Sequence, residues 1–302
     1  MPLKTCRGDD FASVFIDKEN CTVCGLCVKV CKGDILHTVD GEVEIDLSRL
    51  FGCIGCGQCM AVCPKNCITV QGRCLSMDSL TELPEYTNKT DYEQLKALML
   101  GRRSVRDYKD REIEQEVIDK ILDAARTAPM GIPPSEVHIL VLKGRDKVRE
   151  FSNDMVDYMQ KTRWLFQPPA AYVYRPFIGK ASYELIQGFM LPLIDVLHRK
   201  RKENSDWLLY SAPLAMLFHA SPYADPVDPH IPATYAMLAA ESMGLGSCMI
   251  GSVAPFLKYS KKIKAKYKIK PQNQMGIVVV FGYPAVRYTR SLKRDFAEVQ
   301  YY

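Results

Sequence analysis

The sequence predicts a chain of two parts that both mix helices and strands, a small part wound around cysteines and a larger part with its own core. Two observations carry this. Eight cysteines between Cys21 and Cys63 stand in two copies of the spacing CxxCxxCxxxC, each position of the first copy recurring 32 residues later. Beyond residue 90, apolar residues recur at intervals of three and four in some stretches and alternate in others, as buried helix faces and strands require. At 302 residues the chain can bury a sizeable core and divide into two domains. The expected boundaries are a cysteine domain over 1–75, a polar linker with Pro84 over 76–90, and the larger domain over 91–302.

In the first part, Phe11 to Ile16 and Glu42 to Leu47 read as short strands leading into the two cysteine loops. A chain wraps an iron–sulfur cube with three thiolates from one short loop and a fourth from elsewhere, here the other half of the repeat. Cys21, Cys24, Cys27 and Cys63 are therefore assigned to one 4Fe–4S cluster, and Cys53, Cys56, Cys59 and Cys31 to the other. In this stretch the sequence resembles the bacterial two-cluster ferredoxins. It departs from them where Cys31 is followed by Lys32 and Gly33, whereas Cys63 is followed by Pro64. Two other readings compete: zinc, which favours CxxC pairs with a longer gap, and disulfides, which suit small secreted chains. Residues 1–11 have neither the basic start nor the apolar run of a signal peptide. Val28, Val30 and Met60 to Val62 are apolar residues placed to pack on the clusters and exclude water.

The larger part opens with a helix near Asp91, its face formed by Leu95, Leu98 and Met99, and breaks at Gly101. A second helix carries Ile113, Val117, Ile118, Ile121, Leu122 and Ala125 and stops at Ala128, after which Val137, Ile139 and Val141 alternate as a strand. Residues 145–210 read as mainly helical, with prolines and aromatics between Trp164 and Phe177. A buried strand follows over 212–220, then a helix over 232–243 closed by Gly244, and a strand over 275–281. The longest apolar stretch, Trp207 to Ala220, is too short to span a bilayer and is broken by Ser211, Pro213 and His219, so no membrane span is expected. Residues 1–80 hold 8 basic against 10 acidic side chains, net −2, which leaves +7 for the rest. The acidic part suits docking on a basic surface, such as that of a redox partner. The lysines from Lys261 to Lys270 read as the solvated face of a short helix, and no nucleic-acid motif accompanies them. Eight thiolates kept for metal imply a reducing, cytoplasmic setting.

The order RRSVRDY at 102–108, AARTAPMG at 124–131, AAESMGLGSCMIG at 239–251 and GYP at 282–284, then a terminal basic segment, resembles the nitroreductase family of FMN enzymes. That resemblance implies an α+β sandwich, with an antiparallel-rich sheet flanked by helices, and an intertwined homodimer with FMN at its interface. The FMN phosphate needs fixed cations and hydroxyl donors, and Arg102, Arg103, Ser104 and Arg106 are the matching residues. Arg290, Lys293 and Arg294 match the family's terminal basic residues, Ile250, Gly251 and Ser252 the backbone at the flavin edge, and Pro129, Met130 and Gly131 the loop against the ring. Where relatives often carry serine, asparagine and glutamine in that loop, this chain has Met130, Pro133 and Ser135.

The function expected is a ferredoxin-fused flavin reductase, passing single electrons from a reduced ferredoxin or other donor through two clusters to FMN, then a hydride to a small organic acceptor such as a nitroaromatic, quinone or enone. No side chain is expected to act as a nucleophile. His219, His230, Tyr174 and Tyr223 are noted only as groups able to donate a proton. No glycine-rich dinucleotide fingerprint follows a strand, which leaves direct use of a nicotinamide cofactor unsupported. The alternatives are a relay that serves a protein partner, and a dehalogenating or flavin-cleaving relative.

Overall fold

The computed structural model describes residues 3–8 and 10–302, and the Tyr174 side chain, one of the four proton donors considered, lies outside the described groups. The chain forms two compact units: Met1–Lys89 with Pro129–His138 and Ala220–Asp228, and Thr90–Ala128 with Ile139–His219 and Pro229–Tyr302.

In the first unit each copy of the repeat is a strand, a cysteine loop, a one-turn helix and a second strand. The first copy is β1 (Ser13–Ile16), α1 (Leu26–Val30) and β2 (Leu36–Val39); the second is β3 (Glu42–Ile45), α2 (Gln58–Val62) and β4 (Ile68–Gln71). β1 and β3 fall inside the expected strands. β2 and β4 are four-residue strands that the sequence reading passed over. Pairing is crosswise and antiparallel, β1 with β4 and β2 with β3, so the outer strands of the two copies meet and the inner strands meet. Ala12, Val14, Leu36, Met60, Ile68 and Val70 fill the small core between them. Each helix starts from a glycine in the left-handed region, Gly25 at φ 73° and Gly57 at φ 72°, and stops where the fourth cysteine of its copy, Cys31 or Cys63, turns to extended backbone.

The second unit contains α3 (Tyr92–Gly101), α4 (Gln115–Arg126), most of β5 (Val137–Lys143), α5 (Arg145–Thr162), α6 (Ala170–Leu185), α7 (Leu191–Lys202), β6 (Leu214–Ala220), α8 (His230–Ser242), β7 (Gly246–Ile250), α9 (Val253–Leu257), α10 (Lys261–Lys266) and β8 (Gln274–Gly282). The sheet order is β5-β6-β8-β7, with β7 and β8 antiparallel. Successive residues of β8 feed opposite cores, as strand geometry demands. Val278 and Val280 join Phe151, Met155, Ile194 and Leu257 on one face, while Val279 and Phe281 join Ile118, Ile121, Ala236 and Ala240 on the other. The sheet is covered by helices on both faces, which is the α+β sandwich the resemblance implies. It also explains why β6 is buried at every residue.

Three details differ from expectation. β7 is a strand that starts at a glycine, so its five residues gave no alternating pattern. α6 is broken at Gly179, where φ is 77°. α3 buries no residue: Leu95 and Leu98 are half-buried and Met99 is half-exposed, because its packing on α8 covers that face only in part. His219 is buried, and its Nδ1 is paired with the Asn273 amide nitrogen at 3.0 Å, the place of a core histidine. Among the described residues no helix is long and apolar enough to cross a membrane.

Candidate functional site

The first unit holds two separate cavities, each with four of the eight cysteines in its lining. Cys21, Cys24, Cys27 and Cys63 line one, with Ile16, Val43 and Pro64. Cys31, Cys53, Cys56 and Cys59 line the other, with Ile35, Phe51 and Val70. Crosswise strand pairing is what delivers each fourth cysteine to the opposite loop. Electrostatics follow the same division. Burial raises the Cys27 thiol, and Cys21 and Cys63 push it further. Burial pushes the Cys59 thiol up to about 12, with Cys53, Cys56 and Cys31 adding to it. Against burial, backbone hydrogen bonds draw the Cys63 thiol down instead, and four sulfurs around an apolar cavity are the donor set an iron–sulfur cube requires. Among the described residues no three His, Cys, Asp or Glu side chains converge on a point that one metal ion could fill. A cube spreads its ligands more widely, since each thiolate binds a different iron.

In the second unit the segment after α3 lies as a ribbon along β7. Ser104 bridges Ser247, and the Val105 N–H donates to the Ser247 carbonyl at 3.0 Å. Gly246 permits this contact: a Cβ there would meet Val105 Cγ2 at 2.5 Å. At the other end the Tyr108 hydroxyl donates to the Val105 carbonyl at 2.7 Å, and a Cβ on Gly282 would collide with its ring. The glycines of the GLG and GYP motifs therefore serve to seat the arginine segment. Ser104 and Arg106 reach the buried Cys248 on β7, whose thiol is raised by burial and drawn back by Arg106, Ser104 and Arg102. Ser247 Oγ is fully buried and has no hydrogen-bond partner among the described residues, an orphan polar atom beside these donors. The Arg106 guanidinium lies 5.9 Å from the centre of the Tyr210 ring.

Arg103 lines a separate cleft of about 390 Å³ with Lys109, Glu241, Arg287 and Tyr288. Ile250 is buried, Gly251 exposed and Ser252 half-buried where β7 passes into α9. A Cβ on Gly251 would meet only Ile277 Cδ1, at 4.0 Å, so the space above it is open. Arg290, Lys293 and Arg294 are exposed, on a terminal segment without regular structure. Pro129, Met130 and Gly131 are exposed and belong to the first unit. Arg102, Ser104 and Arg106 are thus brought together, and Arg103 is turned to another face. One residue of the first unit escaped the sequence reading: Arg73, buried behind the Cys53 loop, its only mark a lone charge between Gly72 and Cys74.

Residues 99–283 match the Nitroreductase family, and residues 20–68 match the 4Fe-4S dicluster domain. Ferredoxin-3 of Nostoc sp. is 36% identical over 70 residues, a match that takes in 18% of this chain and 72% of that protein. An FMN reductase (NAD(P)H) of Bacillus subtilis is 26% identical over 161 residues, covering 53% of this chain and 55% of that one. The crystal structure of a nitroreductase with bound FMN from Bacteroides fragilis superposes with a TM-score of 0.52 at 18% identity, over 70% of this chain and 99% of that one; at such identity the likeness speaks for the fold alone. The family match spans more than half of the chain and coincides with the helix-covered sheet and its seated arginine segment. The chain belongs to the nitroreductase family of FMN-dependent oxidoreductases and carries a 4Fe-4S dicluster domain ahead of the family's own fold.

Proposed function

We propose that the chain takes single electrons from an external donor, such as a reduced ferredoxin, at its iron–sulfur domain and passes them in pairs, by way of FMN, to a small organic acceptor of the nitroaromatic, quinone or enone class. The observation that supports this most is the gathering of the eight cysteines into two crossed sets, each around its own cavity. When bound, 4Fe–4S clusters accept electrons one at a time and FMN converts single electrons into a hydride.

The chain's part is to hold and insulate. Cys21, Cys24, Cys27 and Cys63 hold one cluster and Cys31, Cys53, Cys56 and Cys59 the other, with Ile16, Val43, Ile35 and Val70 keeping water out of the two cavities. Arg102, Ser104 and Arg106 supply the cations and hydroxyl that a phosphate dianion needs, and Arg103, expected to join them, lies in the cleft beside Gly246 as a second place for an anion. Ile250, Gly251 and Ser252 offer backbone amides under open space, Pro129, Met130 and Gly131 are the loop residues proposed for the flavin ring, and Arg290, Lys293 and Arg294 add charge from the terminal segment. The exposed Tyr92, Met99 and Leu100 of α3 and the exposed Leu292, Phe296 and Tyr301 support a homodimer with FMN at the interface. The functional division follows as 1–75 for the clusters, 76–90 as linker and 91–302 for FMN. A reducing, cytoplasmic setting is proposed, since thiolates reserved for iron are kept reduced there.

Anaerobic purification with iron, sulfide and flavin analysis, then stepwise reduction, tests this reading. About eight irons per chain with FMN, two clusters of four, is the expected result. Zinc in place of iron, or no flavin, would overturn it.

A further inference from the structure

Arg73 follows β4 and is 8% exposed. Among the described residues its guanidinium donates to backbone carbonyls: Nε to Ile54 at 2.9 Å, Nη1 to Leu3, Gly8 and Asp10 at 2.8, 3.0 and 2.9 Å, and Nη2 to Pro133 at 2.8 Å. Among the described residues it meets carbonyl dipoles and no carboxylate, and the buried Glu136 accepts from the Arg7 N–H. A buried cation is costly, and a nearby negative charge offsets that cost. The backbone is strained as well: Gly72, Arg73 and Cys74 all lie in the left-handed region, at φ 111°, 50° and 63°. Strain of this kind persists where surroundings enforce it and is concentrated at working sites.

Ile54 lies between Cys53 and Cys56, so the cation is braced against one ligand loop. The repeat supplies its own comparison. Thirty-two residues before Arg73 stands Gly41, and 32 before Gly55, whose missing side chain leaves room for the Arg73 stem at 3.1 Å, stands Val23. Among the described residues the other cysteine set has no arginine at the position equivalent to Arg73. Exposed lysines do not break the symmetry, since Lys65 lines one cavity and Lys32 the other. Pro133, which accepts from Nη2, belongs to the loop that begins at Pro129.

We infer that Arg73 makes the site of Cys31, Cys53, Cys56 and Cys59 the more easily reduced of the two and so sets the order of electron flow, in from the Cys21 site and out from the Cys31 site. This rests on the two-cluster reading above. Thiolate-bound clusters gain negative charge on reduction, and a fixed, desolvated cation stabilises that added charge on one side of the repeat only. Each transfer is a single electron, one site oxidised as the other is reduced, with no bond or proton involved. Arg73 is a positioning and tuning residue, since it touches the ligand loop.

The test is a potentiometric titration of the full-length protein followed by electron paramagnetic resonance, with Cys56→Ser and Cys24→Ser used to assign the two waves. The unmodified protein should show two waves, the higher one being altered by Cys56→Ser. Arg73→Gln should lower that wave by at least tenfold in reduced-to-oxidised ratio, about 59 mV for one electron, and leave the other in place. Arg73→Lys, which keeps the charge, should restore more than half of the shift. A reversed order in the unmodified protein overturns the inference and needs no Arg73 variant to fold. So does an equal shift of both waves, no shift, or a lysine variant as low as the glutamine one, which would make Arg73 a scaffold of the loop. Fewer than two waves in the unmodified protein defeats the two-cluster reading itself.

Discussion

Gly246 and Gly251 stand five residues apart in one motif and do different work. A methyl group on Gly246 has nowhere to go, because Val105 already lies within 2.5 Å of its position, whereas on Gly251 it meets nothing nearer than 4.0 Å. Gly246→Ala is therefore expected to cost about 1–3 kcal/mol through overpacking, read as a fall in Tm. Gly251→Ala should leave stability within about 0.5 kcal/mol yet weaken FMN binding, if backbone must approach the ring there. Equal loss of stability in both would remove the distinction. Arg106, which acts on Cys248 with Ser104, gives a third test at this scale. Arg106→Ala removes a charge-assisted contact worth about 1.5–3 kcal/mol, so FMN affinity should fall about tenfold to a hundredfold in a fluorescence titration. An unchanged affinity would move the phosphate elsewhere, with the cleft of Arg103 and Lys109 the next place to look.

At the scale of elements, α4 is pinned to the residue after β8 by Glu114. Its carboxylate accepts from Arg111 Nη2 and from the Tyr283 hydroxyl, each at 2.7 Å, and the Arg111 guanidinium lies 3.9 Å over the Tyr283 ring. Hydrogen bonds from Arg111 and then Tyr283 bring the Glu114 pKa down to about 2 from its ordinary 4.5. A depressed folded-state value stabilises the fold above the unfolded value, so this contribution is complete above pH 4.5 and is lost as pH falls toward about 2. The acid limb of a stability profile should therefore flatten between those values in Glu114→Gln, and a profile parallel to that of the unmodified protein would show that the contact contributes nothing. Amphipathic patterning made α4 legible in the sequence, because its apolar stripe meets α8 within the same chain. The same rule overstated α3, whose stripe α8 covers only in part. β2, β4 and β7 escaped it, whereas β1 and β3, equally short, were marked by their apolar pattern ahead of the cysteine loops.

For the whole molecule, the exposed apolar residues of α3 and of the terminal segment predict association: sedimentation should give twice the 34.2 kDa chain mass, and removing residues after Tyr288 should yield monomers that release FMN. A full-length monomer that retains FMN would count against the interface. What the sequence alone determined is the ligand chemistry, since CxxCxxC is covalent geometry that puts three sulfurs in one loop whatever surrounds it. The repeat likewise pointed to two crossed sets of cysteines, and each set lines a cavity of its own. Tertiary structure alone decided three things. It turned Arg103 away from Ser104 and Arg106, because neighbouring residues of an extended segment face opposite ways. It drew residues 129–138 into the first compact unit. And it carried Arg73 to carbonyls 19 to 70 residues away in the chain, contacts that no local spacing announces because they exist only once the strands of the two repeats have paired.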